Sequence, residues 1–121
     1  MSASIPTEHK AAVFSGETED KKLIKIVSTP TVSPGKGQLL IKSEAAALNP
    51  TDWKHIVHGW GGAGDVVGSD VAGVVVAVGE GVEGFEIGDH VSAFAHGGYT
   101  PRPTEGVFQE YAVIYMLPLS T

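Results

Sequence analysis

The run AVGEGVEGF at residues 77–85 sets Gly79, Gly81 and Gly84 at the G-x-G-x-x-G spacing that holds a dinucleotide pyrophosphate. In such a site the helix that follows aims its N-terminal N–H groups at the phosphates. A second match, Gly59, Gly61 and Gly64 in GWGGAG, lies nearby, and 16 glycines in 121 residues make chance matches common. The residues after Gly84 therefore decide. Gly88 interrupts the segment and DHVSAF (89–94) reads as a strand, so no helix opens there. Strand, glycine turn, strand is a hairpin-like connection, and GEGVEG is expected to serve turn geometry with φ > 0 rather than a phosphate. The other concentration of reactive types is NPTDWKHIVH (49–58), with an amide, a hydroxyl, a carboxylate, an ammonium and two imidazoles in ten residues.

The elements that must position these residues are short. KAAVF (10–14) and KLIKIVS (22–28) read as strands around the acidic turn GETED, and TPTVSPGKG (29–37), with Pro and Gly, reads as a connector. QLLIKSEAAAL (38–48) begins with strand alternation, and its alanines fit either a helix or a narrow strand packed against another backbone. NPTDWKHIVH carries the best helix start in the chain. Asn49 suits the N-cap, Pro50 the first helical position, and Asp52 stands three residues after the cap. Gly59 to Gly64 end that helix. VGSDVAGVVVAVG (67–79) is rich in valine and nearly continuously apolar, which predicts a strand covered on both faces. HGGYTPRPTEG (96–106) reads as a loop and VFQEYAVIYM (107–116) as a last strand. About six short strands, one short helix and frequent turns predict a mainly β chain, a small barrel or sandwich, with no βαβ unit.

Composition narrows the function classes. Apolar residues make up 42% and charged residues 18%, a globular composition of one-domain size. Fourteen acidic against 8 basic residues give a net charge of −6, which argues against nucleic acid and anionic membranes as partners. The absence of cysteine excludes disulfides, thiolate nucleophiles and cysteine-based zinc sites. No apolar run approaches the roughly 20 residues of a membrane span. MSASIPTEHK lacks the apolar core of a secretory signal. A cytoplasmic protein is the expectation.

The assembled pattern resembles a known family. Val78-Gly79-x-x-Val82-x-x-Phe85-x-x-Gly88-Asp89-x-Val91 is similar to the long signature of the medium-chain dehydrogenase/reductase superfamily. Gly68-Ser69-Asp70-x-Ala72-Gly73 stands where that family has its G-H-E segment. Gly106-Val107-Phe108-Gln109-Glu110-Tyr111 resembles its G-x-F-A-E-Y strand, and Asn49-Pro50-Thr51-Asp52 is in register with its early catalytic loop. NPTDWK and TPRPTEGVFQEY most resemble fungal zinc-independent members, the trans-acting enoyl reductases and related quinone-reductase-like proteins. The resemblance implies that residues 1–121 form a GroES-like β-barrel, the N-terminal alcohol dehydrogenase-type catalytic domain. The Rossmann nucleotide-binding domain that follows in the family is absent from this chain.

The same resemblance implies hydride transfer from NADPH, bound through the missing domain, to an enone, enoyl thioester, carbonyl or quinone. Zinc is not expected. The family's zinc ligands fall here at Asn49 and Ser69, and neither completes a tetrahedral N/S site. The charge on the substrate oxygen must then be stabilised by protein donors. Thr51, Lys54 and His55 are the catalytic candidates. Thr51 would offer a hydroxyl near the carbonyl, Lys54 would polarise an oxyanion or donate a proton, and His55 would shuttle a proton. Asn49 and Asp52 are the cofactor-binding candidates, and Trp53 and Trp60 the substrate-pocket candidates.

Each has a plainer alternative. Asn49 is equally a helix cap, and Asp52 closes a capping box more readily than it acts as a base. Thr51 and Lys54 in a first helical turn are usually solvated, and tryptophans are usually core. His55 and His58 share a helix face without a third metal ligand in register. His90 and His96 read as surface residues. Asp70 is a candidate loop anchor, and Arg102, in a loop with Tyr99, a candidate phosphate contact. A small-molecule substrate and either the missing nucleotide-binding domain or a second copy are the expected partners. The competing reading is a stand-alone β-barrel binding or assembly module without activity. The apolar end AVIYMLPL suits a chain cut before its partner, and exposed apolar surface is then expected to cause self-association.

Overall fold

A computed structural model describes residues 4–16, 23–58, 61–97 and 104–116. Six antiparallel strands and one helix follow in the order β1 (Glu8–Phe14), β2 (Ile24–Pro30), β3 (Gln38–Ala47), α1 (Pro50–Val57), β4 (Asp70–Val78), β5 (His90–Phe94) and β6 (Tyr111–Tyr115). β1 and β2 form a two-stranded sheet, and the other four pair in the order β5-β4-β3-β6. The sheets are stitched together by main-chain bonds from β1: Ala12 N–H to Phe108 O at 2.8 Å, Phe14 N–H to Asp65 O at 2.9 Å, and Val67 N–H to Ala12 O at 3.0 Å.

The valine-rich stretch forms β4, as β-branched residues favour. Its burial departs from the expectation of two covered faces. Val71, Gly73 and Val75 are buried, while the residues between them are only half-buried. One face packs on Leu39, Ile41, Val107, Ala112 and Ile114, which form the core. The other face carries Asp70 and Ala72 and lines an open groove.

The alanines of β3 take the strand alternative. Ala45, Ala46 and Ala47 pair with Ala72, Val71 and Asp70 after a bulge between Ser43 and Ala45. β2 extends two residues into the expected connector, with Thr29 and Pro30 paired to His9 and Glu8; Pro30 is tolerated because it ends a strand at a sheet edge. The last strand is shorter than expected, 111–115 instead of 107–116. Residues 107 and 108 instead give their N–H groups to Gly68 O and Val67 O, which pulls them across the sheet junction.

The glycines of GEGVEG divide into two kinds. Gly81 and Gly84 take φ of 82° and 86°, the turn role expected of them. Gly79 does not. A Cβ there would overlap the carbonyl oxygens of Gly35 and Gln38, so its missing side chain permits two backbones to meet. The Gly79 N–H donates to Gln38 O at 2.8 Å across that contact.

A polar cluster unforeseen in the sequence closes the junction. His9 is 6% exposed. Its Nε2 lies 2.7 Å from Gln109 Oε1 and its Nδ1 2.7 Å from Thr31 Oγ1. The Gln109 amide nitrogen donates to Thr104 O at 3.0 Å and Gly106 O at 2.6 Å. Those bonds turn Oε1 toward the ring, which places the imidazole hydrogen on Nε2 and leaves Nδ1 to accept the Thr31 hydroxyl. Tyr111 packs edge-on against the ring at 5.6 Å.

Two stability measurements follow. Gly79→Ala should lower the urea-unfolding free energy by about 2 kcal/mol, because backbone must shift, whereas Gly81→Ala should cost about 1 kcal/mol from strained φ alone. Gln109→Ala should cost about 2 kcal/mol by leaving His9 and two carbonyls unpaired.

Candidate functional site

The groove on the outer face of β4 has a volume of about 580 Å³. Its floor is made of small side chains, Ala45, Ala46 and Ala47 from β3, Ala72 from β4 and Ala93 from β5. Phe94, 64% exposed, walls one side, and Asp70 and Ser92 supply the polar groups. Cross-strand register sets Ala45, Ala72 and Ser92 beside one another, and likewise Ala47, Asp70 and Phe94, on the face opposite Val71 and Val75, while Ala46 and Ala93 flank Val71 itself.

The chain leaves β3 at Ala47, passes the 86% exposed Leu48 and enters α1 through Asn49. The capping box is present, formed from one direction only. Asp52 Oδ2 accepts the Asn49 backbone N–H at 2.7 Å, and Asp52 N–H donates to Asn49 O at 3.0 Å. The Asn49 side chain goes elsewhere. Its Nδ2 donates to Asp70 Oδ2 at 2.6 Å, a charge-assisted bond from the loop to the first residue of β4. Asp70 thus anchors the loop, through the side-chain amide of Asn49. Asp52 Oδ1 is buried without a hydrogen-bond partner.

The remaining candidates sit on α1 with differing surroundings. Thr51 is exposed, and Lys54 and His55 are half-buried. Lys54 Nζ lies 5.7 Å from the centroid of the Trp53 ring, at cation–π distance. Trp53 is 50% exposed, so it is not a core residue, and it is not among the residues that line the groove. The structure therefore brings Asn49, Asp52 and Asp70 together and leaves Thr51, Lys54 and His55 arrayed along one helix beside them. Trp60, Tyr99 and Arg102 lie outside the described residues.

Ser69 is buried and its carbonyl accepts Ala95 N–H at 2.7 Å. His90 is exposed and 3.4 Å from Glu44, a surface pair that contributes little. Phe94 meets His96 edge-on at 5.3 Å. Among the described residues no three His, Cys, Asp or Glu side chains converge as metal ligands, and no helix is long and apolar enough to cross a membrane.

Strand order, bulged β3 and open groove fit a GroES-like β fold. The alcohol dehydrogenase GroES-like domain model matches residues 35–117, and the chain belongs to that family. It is similar to a trans-enoyl reductase of Aspergillus sclerotiorum, 44% identical over 103 residues that cover 84% of this chain and 28% of the relative. Among solved structures it resembles the quinone oxidoreductase of Coxiella burnetii, with a TM-score of 0.72 and 32% identity over 89% of this chain and 35% of that one. A crotonyl-CoA carboxylase/reductase in complex with NADP shares the fold, with a TM-score of 0.75 at 20% identity over 93% of this chain and 36% of that one. The chain thus spans about a third of the length of these proteins or less.

The cap arrangement predicts a small effect for Asp52→Ala. Loss of the Asn49 N–H bond should cost about 1 kcal/mol, offset in part by removal of the buried, unpaired Oδ1. Circular dichroism with urea unfolding should record a net loss below about 1 kcal/mol.

Proposed function

We propose that this chain is the catalytic-domain portion of a zinc-independent, NADPH-dependent oxidoreductase that reduces an activated alkene or carbonyl: an enone, an enoyl thioester or a quinone. The observation that carries the reading is the family match together with an apolar groove whose polar edge is the Asn49–Asp70 pair. The likeness to a trans-enoyl reductase and a quinone oxidoreductase supports this substrate class.

NADPH, held by a nucleotide-binding domain continuous with this segment or brought by a partner, would supply the hydride. The acceptor would lie on the alanine floor with its apolar part against Phe94. Asn49 would offer its remaining amide N–H to the nicotinamide or the substrate, with Asp52 fixing its main chain. Lys54 and Thr51 offer the positive charge and the hydroxyl that meet negative charge on the substrate oxygen. His55, in the same helix, relays the proton that completes reduction. Zinc does not fit this donor set. Asn49 spends its amide nitrogen on Asp70, and Ser69 presents a buried hydroxyl where a soft or imidazole ligand would be needed. In a cytoplasmic setting the partner is a small molecule.

The test uses the protein purified from its source cells. Its intact mass tells whether the nucleotide-binding domain is continuous with this segment. NADPH oxidation is then followed with a panel of enones, enoyl thioesters, aldehydes and quinones. Lys54→Met and Thr51→Val should each lower kcat by roughly a hundredfold as the charged and hydroxyl partners of the substrate oxyanion. No NADPH consumption with any acceptor would discard the reading in favour of a β-barrel binding module.

A further inference from the structure

We propose that Asp70 is a positioning residue, acting on the reaction through Asn49. The inference rests on the oxidoreductase reading above. Asp70 opens β4, and its partners in register are Ala47 on β3 and Phe94 on β5. Asn49 follows Ala47 by two residues, so the chain turning from β3 into α1 passes beside Asp70 at the edge of the groove.

The bond formed there has one direction. An ionised carboxylate only accepts, so the amide must give Asp70 its nitrogen and turn its carbonyl oxygen away. At 2.6 Å the contact is short and charge-assisted. The main chain of Asn49 is held separately by Asp52 Oδ2 at 2.7 Å. Two carboxylates therefore fix backbone and side chain of one residue. What Asn49 has left to offer is its carbonyl oxygen and its second N–H, already oriented before anything binds. A side chain free to rotate would lose that orientation, and its ordering would then be paid at the moment of binding. A displacement of about 1 Å in such a group costs on the order of a hundredfold in rate.

A purely structural role makes a different forecast. Asp70 would then matter for the stability of the α1 entrance and not for turnover by folded protein.

The experiment measures kcat and the NADPH KM for the source-derived protein and for Asp70→Ala, Asn49→Ala and the double variant, each corrected for folded fraction. Positioning predicts that each single change lowers kcat by on the order of tenfold to a hundredfold, with no further loss in the double variant, since both act through one bond. Asp70→Asn, whose carbonyl accepts the same N–H without the charge, should recover part of the rate. Should Asp70→Ala fail to fold, Asp70→Asn against Asn49→Ala carries the same comparison. Unchanged kcat in either Asp70 variant, or losses that multiply in the double variant, would overturn the inference while the oxidoreductase reading stands. An inactive wild-type protein would overturn that reading, and the inference with it.

Discussion

Strand β4 must satisfy two environments, and most of the structure follows from that. Its inward residues Val71 and Val75 close the core against Leu39, Ile41 and Ile114. Its outward residues Asp70 and Ala72 face an open groove. Because side chains alternate at period two, a one-residue slip would bury Asp70 and expose the valines, so the register is strongly specified. Gly73 removes any latitude that remains, since a Cβ there would overlap the carbonyl of Lys42 on the neighbouring strand. Core packing thereby fixes the position of a carboxylate at the groove edge.

The groove is built by subtraction. Alanines on three adjacent strands leave room where larger residues would have packed, and the exposed Phe94 borders it with apolar surface. Such a surface costs free energy in water unless something covers it. The polar groups are by contrast few, and Asp70 is already bonded to Asn49. This combination, an apolar bed with a fixed hydrogen-bonding edge, is how small-molecule sites obtain affinity from burial and orientation from a handful of polar atoms.

Local chemistry made much of this legible in the sequence. The six strands and the helix of the described residues are readable from residue type and spacing, and the fingerprint at Gly79 to Gly84 fails because no helix follows it. The cap at Asn49 was readable too, but its side chain was not. An asparagine at an N-cap has two uses, and only the fold brings Asp70, 21 residues on, within reach. The one-sided burial of β4 escaped because a run of valines looks the same whether its second face meets protein or a groove. His9 and Gln109 escaped for the same reason, being 100 residues apart. Gly79 was assigned to a turn because local sequence cannot register a crossing backbone.

β1 precedes residues 108 to 110 by about 100 residues, yet its ladder is completed on one side by them. Its buried imidazole, too, waits for Gln109. At about 5–20 residues per second on the ribosome, β1 spends several seconds without the partner that satisfies it. Its hairpin with β2 can form early, but closure of the barrel is a late, non-local event of the kind that slows folding. The nascent chain therefore carries an unfinished edge over that interval, which is when a chaperone would have something to hold.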